Sequence, residues 1–284
     1  MATIIDAAAL KDRMDAGKRT VLLDVRWVLG DPHGYSHFRQ AHLPGAVYVD
    51  LHNELADPTA EGQGRHPLPS TSALQRSARS WGINNGDTVV AYDDSGNTAA
   101  ARLWWLLRDA GIHSVFLLDG GLGAWRAAGY PLSQDEQAPV PGDVVLGRGH
   151  MDAISMEDAA DWHLSGILLD ARAGERYRGE IEPVDPRAGH IPGALSAPTS
   201  GNLGPDGTFL RAAQLRNRFA GLGIDEGSKV AVYCGSGVTA AHEIAALEIA
   251  GFRAALFPGS FSQWSSDDAN PVVIGAAPLD TADR

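Results

Sequence analysis

The stretch KVAVYCGSGVTAAHEIAALEIAG, residues 229–251, decides the fold. Val230, Ala231, Val232 and Tyr233 are short, apolar and partly β-branched, as a buried strand requires. Residues 240–250 are rich in Ala, Leu, Ile and Glu and end at Gly251, which predicts a helix closed by a glycine cap. Between them lies Cys234-Gly235-Ser236-Gly237-Val238-Thr239. A strand that feeds a helix through glycines can turn consecutive backbone N–H groups inward, so this loop is expected to form a concave anion cradle at the positive end of the helix. The chain's one cysteine, Cys234, stands at its mouth. Amides and a helix N-terminus favour thiolate over thiol and lower the pKa from the free value of about 8.5, which makes a nucleophile at neutral pH. A lone cysteine in an arbitrary protein is more often a small buried hydrophobe. Strand, Cys, Gly-x-Gly and helix in succession favour the nucleophile here.

Working outward, the same pattern occurs twice, and a repeat decides architecture before any single element does. Val21-Leu22-Leu23-Asp24-Val25-Arg26 returns as Ile167-Leu168-Leu169-Asp170-Ala171-Arg172. Ala41-His42-Leu43-Pro44-Gly45-Ala46 returns as Gly189-His190-Ile191-Pro192-Gly193-Ala194. The turn at 81–87 is echoed at 222–228, and the strand at 88–92 runs into Asp93-Asp94-Ser95-Gly96-Asn97-Thr98, which aligns with the Cys234 loop. The first copy therefore has Asp93 where the second has the cysteine. Residues 119–125 (DGGLGAW) correspond to residues 258–264 (PGSFSQW). Short β-rich segments alternating with helical ones predict an α/β unit on a mainly parallel sheet, made twice, with function at the carboxyl ends of the strands. The polar run 134–149, containing Pro and Gly, reads as a linker, and residues after Pro271 read as a tail. The Trp104-Trp105 pair lies in a helix-like run and is expected to pack in a core or a domain interface.

At 284 residues with 44% hydrophobic content the chain can fill two cores, which argues against disorder. One cysteine excludes an internal disulfide or a cysteine-based metal cage and suits a reducing cytosol. A net charge of −12 argues against nucleic acid or an anionic membrane as partner. No leader-like N-terminus and no apolar run of spanning length occurs, so a cytoplasmic protein is expected. No metal site is expected either: His33 and His37 flank a Pro32/Gly34 turn, and His242-Glu243 lacks the second histidine of a zinc-protease helix, position 246 being Ala.

Together these motifs resemble the two-domain rhodanese-type sulfurtransferases, over nearly the whole chain. The Cys234–Thr239 loop is similar to the active loop of the 3-mercaptopyruvate branch; the His-Ile-Pro-Gly-Ala and Asp-Gly-Gly-x-x-x-Trp segments are also familiar from the family. The resemblance implies two tandem rhodanese-like domains, each a mainly parallel sheet flanked by helices: a catalytically silent one at 1–133, the linker at 134–149 and a catalytic one at 150–284. It implies transfer of sulfur from 3-mercaptopyruvate or thiosulfate through a Cys234 persulfide to a thiol, thioredoxin-like or cyanide acceptor, with no cofactor. Gly235, Gly237, Val238 and Thr239 would hold the donor with Cys234. The thiosulfate-specialised branch places Arg and Lys directly after the cysteine; here Gly235 and Ser236 stand there, and an uncharged loop suits a monoanionic donor held by arginines elsewhere. Arg176 and Arg187 match the family's donor-binding arginines, while Arg172 and Arg178 read as structural. The mercaptopyruvate branch pairs the loop serine with a histidine and an aspartate; Ser236 and His66 fit the first two, and either Asp50 or His52 falls at the third, Asp50 sharing that side only if the segment is extended. Two other readings stay open: a cysteine-dependent phosphatase or arsenate reductase, which would want an arginine where Ala240 stands, and a non-enzymatic sulfur carrier.

Overall fold

A computed structural model describes residues 2–279, which divide into two compact units. The first comprises residues 2–57, 68–151 and 203–209, and the second residues 58–67, 152–202 and 210–279.

The first unit is built on a five-stranded sheet of β1 (Ile4–Ile5), β2 (Thr20–Asp24), β3 (Val47–Tyr48), β4 (Thr88–Tyr92) and β5 (Val115–Leu118), ordered β1-β5-β4-β2-β3 with every pair parallel. The second has β6 (Ile167–Asp170), β7 (Leu195–Ser196), β8 (Val230–Tyr233) and β9 (Ala255–Leu256), ordered β7-β6-β8-β9 and again parallel. A parallel bridge from Ala153 to Leu256 stands where the first unit has β1. The central strands are apolar at successive positions because helices cover both faces of such a sheet; all four residues of β8 are buried. The helix Thr239–Ala250 leaves β8 and ends at Gly251, whose φ of 91° is the left-handed conformation of a glycine cap.

The repeat extends to individual polar contacts. Tyr92 and Tyr233, at the ends of β4 and β8, each accept a backbone N–H at 3.1 Å, from Leu43 and Ile191. His42 and His190 each place Nδ1 2.8 Å from a backbone carbonyl, and Trp125 and Trp264 each donate Nε1 at 2.8 Å to a proline carbonyl. Arg26 pairs with Asp24, and Arg172 with Asp170, both at 2.6 Å. Such buried ion pairs cost desolvation, which further hydrogen bonds offset in part: Arg26 Nη1 donates to the carbonyls of His37 and Ala41, and Arg172 Nη2 to that of Gly189. Trp104 and Trp105, on the helix Ala100–Asp109, are buried.

Three boundaries differ from the sequence reading. Residues 134–149 belong to the first unit: Gly142 and Val144 donate backbone N–H groups to the carbonyls of Arg79 and Ile83, and Val144 and Leu146 are buried. Residues 272–279 are no loose tail, since Val273 is buried and exchanges two backbone hydrogen bonds with His190, and Pro278 accepts from Gly193. Finally, 58–67 fold with the second unit and 203–209 with the first, so neither unit is one continuous stretch.

Candidate active site

The site is assembled at the carboxyl end of β8. Cys234 is 1% exposed, and the start of the helix Ser260–Trp264 fixes its backbone. Its N–H donates to Ser260 Oγ (3.1 Å), its carbonyl accepts from Phe261 N–H (3.0 Å), and the Gly235 carbonyl accepts from Ser262 N–H (2.8 Å). Gly237 has φ of 74°, a left-handed turn that glycine adopts without steric cost. The next element begins at Thr239, and the N–H groups of a helix's first turn have no acceptor within the helix. Gly235, Ser236, Gly237 and Val238 are buried, and Thr239 is half-buried.

His66 and Ser236 meet as expected: His66 Nδ1 lies 2.7 Å from Ser236 Oγ, and both side chains are buried. His66 reaches this loop because residues 58–67 fold with the second unit. In the first unit Asp50 takes a different part. It caps the short helix Leu51–Glu54, Oδ1 accepting the N–H groups of His52 and Asn53 and Oδ2 accepting from Asn53 Nδ2. The segment is helical from Leu51, not extended, which removes the condition under which Asp50 and His52 share a side.

Arg176 stands beside the loop. Its Nε and Nη2 are held by Glu182 (3.2 and 2.6 Å), and Nη2 also by Asp185 (2.9 Å). A Cβ added to Gly235 would come 3.4 Å from Arg176 Nη1, and only 2.9 Å from Nη2 of Arg65, a residue to which sequence reasoning assigned no role. Arg65 Nη1 pairs with the other oxygen of Asp185. Burial raises the Asp185 carboxyl pKa, opposed by the Arg65 charge. At Glu182 burial acts the same way, and the hydrogen bonds from Arg176 overcome it, leaving that carboxyl below the usual range.

Arg187 does not fit donor binding. Nε donates to the Ser265 carbonyl (3.0 Å), Nη1 to that of Asn270 (2.7 Å), and Nη2 to those of Trp264 and Asp267 (3.1 and 2.6 Å). It clamps the end of the helix Ser260–Trp264 to the turn that follows. Arg172 is buried against the Phe261 ring at 3.9 Å, and Arg178 pairs with Glu180 at the surface.

The first unit shows what its corresponding loop does. Asp93, fully buried, accepts four backbone N–H groups: Ser95 and Asn97 on Oδ1 (2.9 and 2.8 Å), Ala99 and Ala100 on Oδ2 (2.9 and 3.0 Å). Burial raises its pKa, and these four amides oppose the rise. Gly96 repeats the φ of 74° seen at Gly237. The loops part at the next residue, Asn97 being left-handed (φ 65°) and Val238 right-handed (φ −81°).

Ser260 was also missed. It occupies the place of Gly121, adopts the same left-handed conformation (φ 53° against 55°), and is fully buried. A serine where the other copy has a left-handed glycine is the signal that the repeat alignment contained.

The rhodanese-like domain pattern matches residues 6–128 and again 152–267. The chain is 47% identical to SseB of Mycobacterium tuberculosis, a protein named as a thiosulfate sulfurtransferase, over 96% of this chain and 98% of that one. It is 32% identical to human 3-mercaptopyruvate sulfurtransferase, over 88% and 86%. The crystal structure of SseA from Escherichia coli, a 3-mercaptopyruvate sulfurtransferase, superposes with a TM-score of 0.81 at 28% identity, covering 92% of this chain and all of that one. Two copies of one domain pattern, and named relatives along nearly the full length, place the chain in the rhodanese-like family, among its two-domain sulfurtransferases.

Proposed function

We propose that the second unit carries sulfur on Cys234 and takes it by preference from 3-mercaptopyruvate. The thiolate attacks the donor's sulfur, the donor C–S bond breaks, and its electron pair leaves as the enolate of pyruvate, which gains a proton. Cys234 is then a persulfide. A thiolate or cyanide acceptor attacks the outer sulfur, the S–S bond breaks, and the Cys234 thiolate returns. Gly235, Gly237, Val238 and Thr239 contribute the loop that surrounds the sulfur and its charge. Asp93 supports this reading of the loop, because a strand-to-helix turn of the same repeat already directs four amides at one anionic group. On the same reading the first unit is silent because its cradle is filled by the chain's own carboxylate.

The observation that carries the donor preference is the 2.7 Å contact of His66 with Ser236, two residues from the nucleophile in a loop with no charged side chain. A hydroxyl backed by an imidazole can deliver the proton an enolate needs. Thiosulfate leaves as sulfite, which needs no such proton and brings a second negative charge for which the loop offers no cation. Thiosulfate is the second reading, favoured by the name of the mycobacterial relative. Thiol, thioredoxin-like and cyanide acceptors, and a cytoplasmic setting, belong to the same proposal.

The test is a paired assay, pyruvate formed from 3-mercaptopyruvate against sulfite or thiocyanate formed from thiosulfate. A higher kcat/KM for 3-mercaptopyruvate, falling about 100-fold or more toward thiol release in His66→Ala and Ser236→Ala, is expected. A higher kcat/KM for thiosulfate overturns the donor ranking, and pyruvate formation by Cys234→Ser overturns the nucleophile.

A further inference from the structure

We infer that Arg65, together with Arg176, grips the carboxylate of the sulfur donor, in the place expected of Arg187. The inference deepens, and rests on, the sulfur-transfer reading above. Three observations carry it. The first is convergence: Arg65 Nη2 and Arg176 Nη1 lie 2.9 and 3.4 Å from one point, the Cβ position of Gly235, immediately after the nucleophile. The second is orientation. Asp185 takes Arg65 Nη1 on one oxygen and Arg176 Nη2 on the other, while Glu182 holds Nε and Nη2 of Arg176. Both forks are thus fixed from behind, and Arg65 Nη2 and Arg176 Nη1 have no protein acceptor among the described residues. The third is support at the backbone, where Arg65 N–H donates to Ser262 Oγ (3.0 Å) and Ser262 N–H donates to the Gly235 carbonyl. Arg65 is therefore tied to the same turn that holds the Cys234 loop.

Two pre-oriented N–H donors from different guanidinium groups match the two oxygens of a carboxylate. The two arginines face two carboxylates, so the cluster is formally neutral. Recognition then rests on directed hydrogen bonds more than on net charge, which favours a monoanionic 2-oxo acid thiol over a dianion. The adjacency also explains why an uncharged residue directly after Cys234 suffices: the cations arrive from residues 65 and 176, and glycine is the residue that leaves them room.

The test compares wild type, Arg65→Gln, Arg65→Lys, Arg176→Gln and Arg187→Gln in two ways. In steady state, Arg65→Gln is expected to raise KM for 3-mercaptopyruvate about tenfold, one charge-assisted hydrogen bond, while kcat at saturation changes less than about threefold. Arg65→Lys should restore part of the loss. In the second measurement Cys234 is alkylated with iodoacetate, which carries a carboxylate, and with iodoacetamide, which does not. The ratio of the two rates should fall several-fold in Arg65→Gln and Arg176→Gln. Arg187→Gln should lower thermal stability and leave the ratio unchanged. An unaltered KM and ratio in Arg65→Gln, or equal slowing by both reagents, overturns the inference. Should the wild type transfer sulfur from no donor, the functional reading fails while the alkylation ratio still decides the part played by Arg65.

Discussion

Ser260 holds a left-handed backbone conformation that costs a residue with a Cβ about 1 kcal/mol or more. Its hydroxyl donates to the Phe257 carbonyl (2.9 Å) and accepts the N–H of Cys234, which explains the serine. Glycine would be the relaxed residue, as Gly121 is in the first unit. Replacement by Gly should therefore remove strain and hydrogen bonds together, whereas Ala removes the bonds and keeps the strain. Thermal denaturation is expected to rank Ser260→Gly more stable than Ser260→Ala by about 1 kcal/mol, the reverse at this position being the result that denies the strain. Both variants should lose sulfur transfer, because the nucleophile's backbone is no longer fixed. Residues of this kind divide by legibility. The Cys234 loop was legible in its own residues, whereas Ser236 and His66 were singled out through the family resemblance, and the structure brings those two within 2.7 Å. Arg65 and Ser260 act through position, and only packing revealed that position. Arg187 shows the converse, an arginine in a suggestive segment whose three guanidinium nitrogens each donate to backbone carbonyls.

At the scale of the element, the helix Thr239–Ala250 does two jobs. Its first turn faces the Cys234 loop, and its buried face carries Glu243, fully enclosed and bonded to Asn202 Nδ2 (2.6 Å) and Arg218 Nη1 (3.2 Å). Burial pushes the Glu243 carboxyl up to about 7, against the charge of Arg218 and the Asn202 hydrogen bond. Between the ordinary value of 4.5 and about 7 the folded chain holds a proton that the unfolded chain has released, so stability must fall as pH rises through that window. Glu243→Gln should flatten the decline. The difference between wild type and variant in denaturant midpoint, followed from pH 4.5 to 7, is expected to change by an amount on the order of 1–3 kcal/mol. A difference constant across the window would place the ionised form in the fold throughout. The strand and helix were legible because apolar runs and a glycine cap are local signals. Glu243 was not, since a glutamate in a helix ordinarily faces water and nothing in its neighbours distinguishes a buried one.

For the whole molecule, duplication is the organising fact. It was legible because each unit must satisfy the same buried groups: the histidine that faces a carbonyl, the tyrosine hydroxyl at the strand end, the tryptophan that donates to a proline carbonyl. Those contacts fix residue types at fixed spacing, and spacing survives in the sequence. The traded segments left no such trace. Residues 58–67 and 203–209 are rich in Gly and Pro, carry no period, and follow whichever unit their neighbours bind. The polar stretch 134–149 misled for a related reason, in that much of what holds it is its own backbone, which donates to the carbonyls of Arg79, Ile83 and Ala110 and to the side chains of Asn84, Asn85 and Gln75. Duplication followed by divergence, Asp93 against Cys234 and Asn97 against Val238, leaves the first unit's loop amides bonded to a carboxylate of the chain itself and puts a thiol at the same place in the second. Intact mass after exposure to 3-mercaptopyruvate tests this most directly. The wild type should gain one sulfur atom, removed by an added thiol and absent from Cys234→Ser; a gain that persists in Cys234→Ser, or no gain at all while pyruvate is formed, would contradict a persulfide on Cys234.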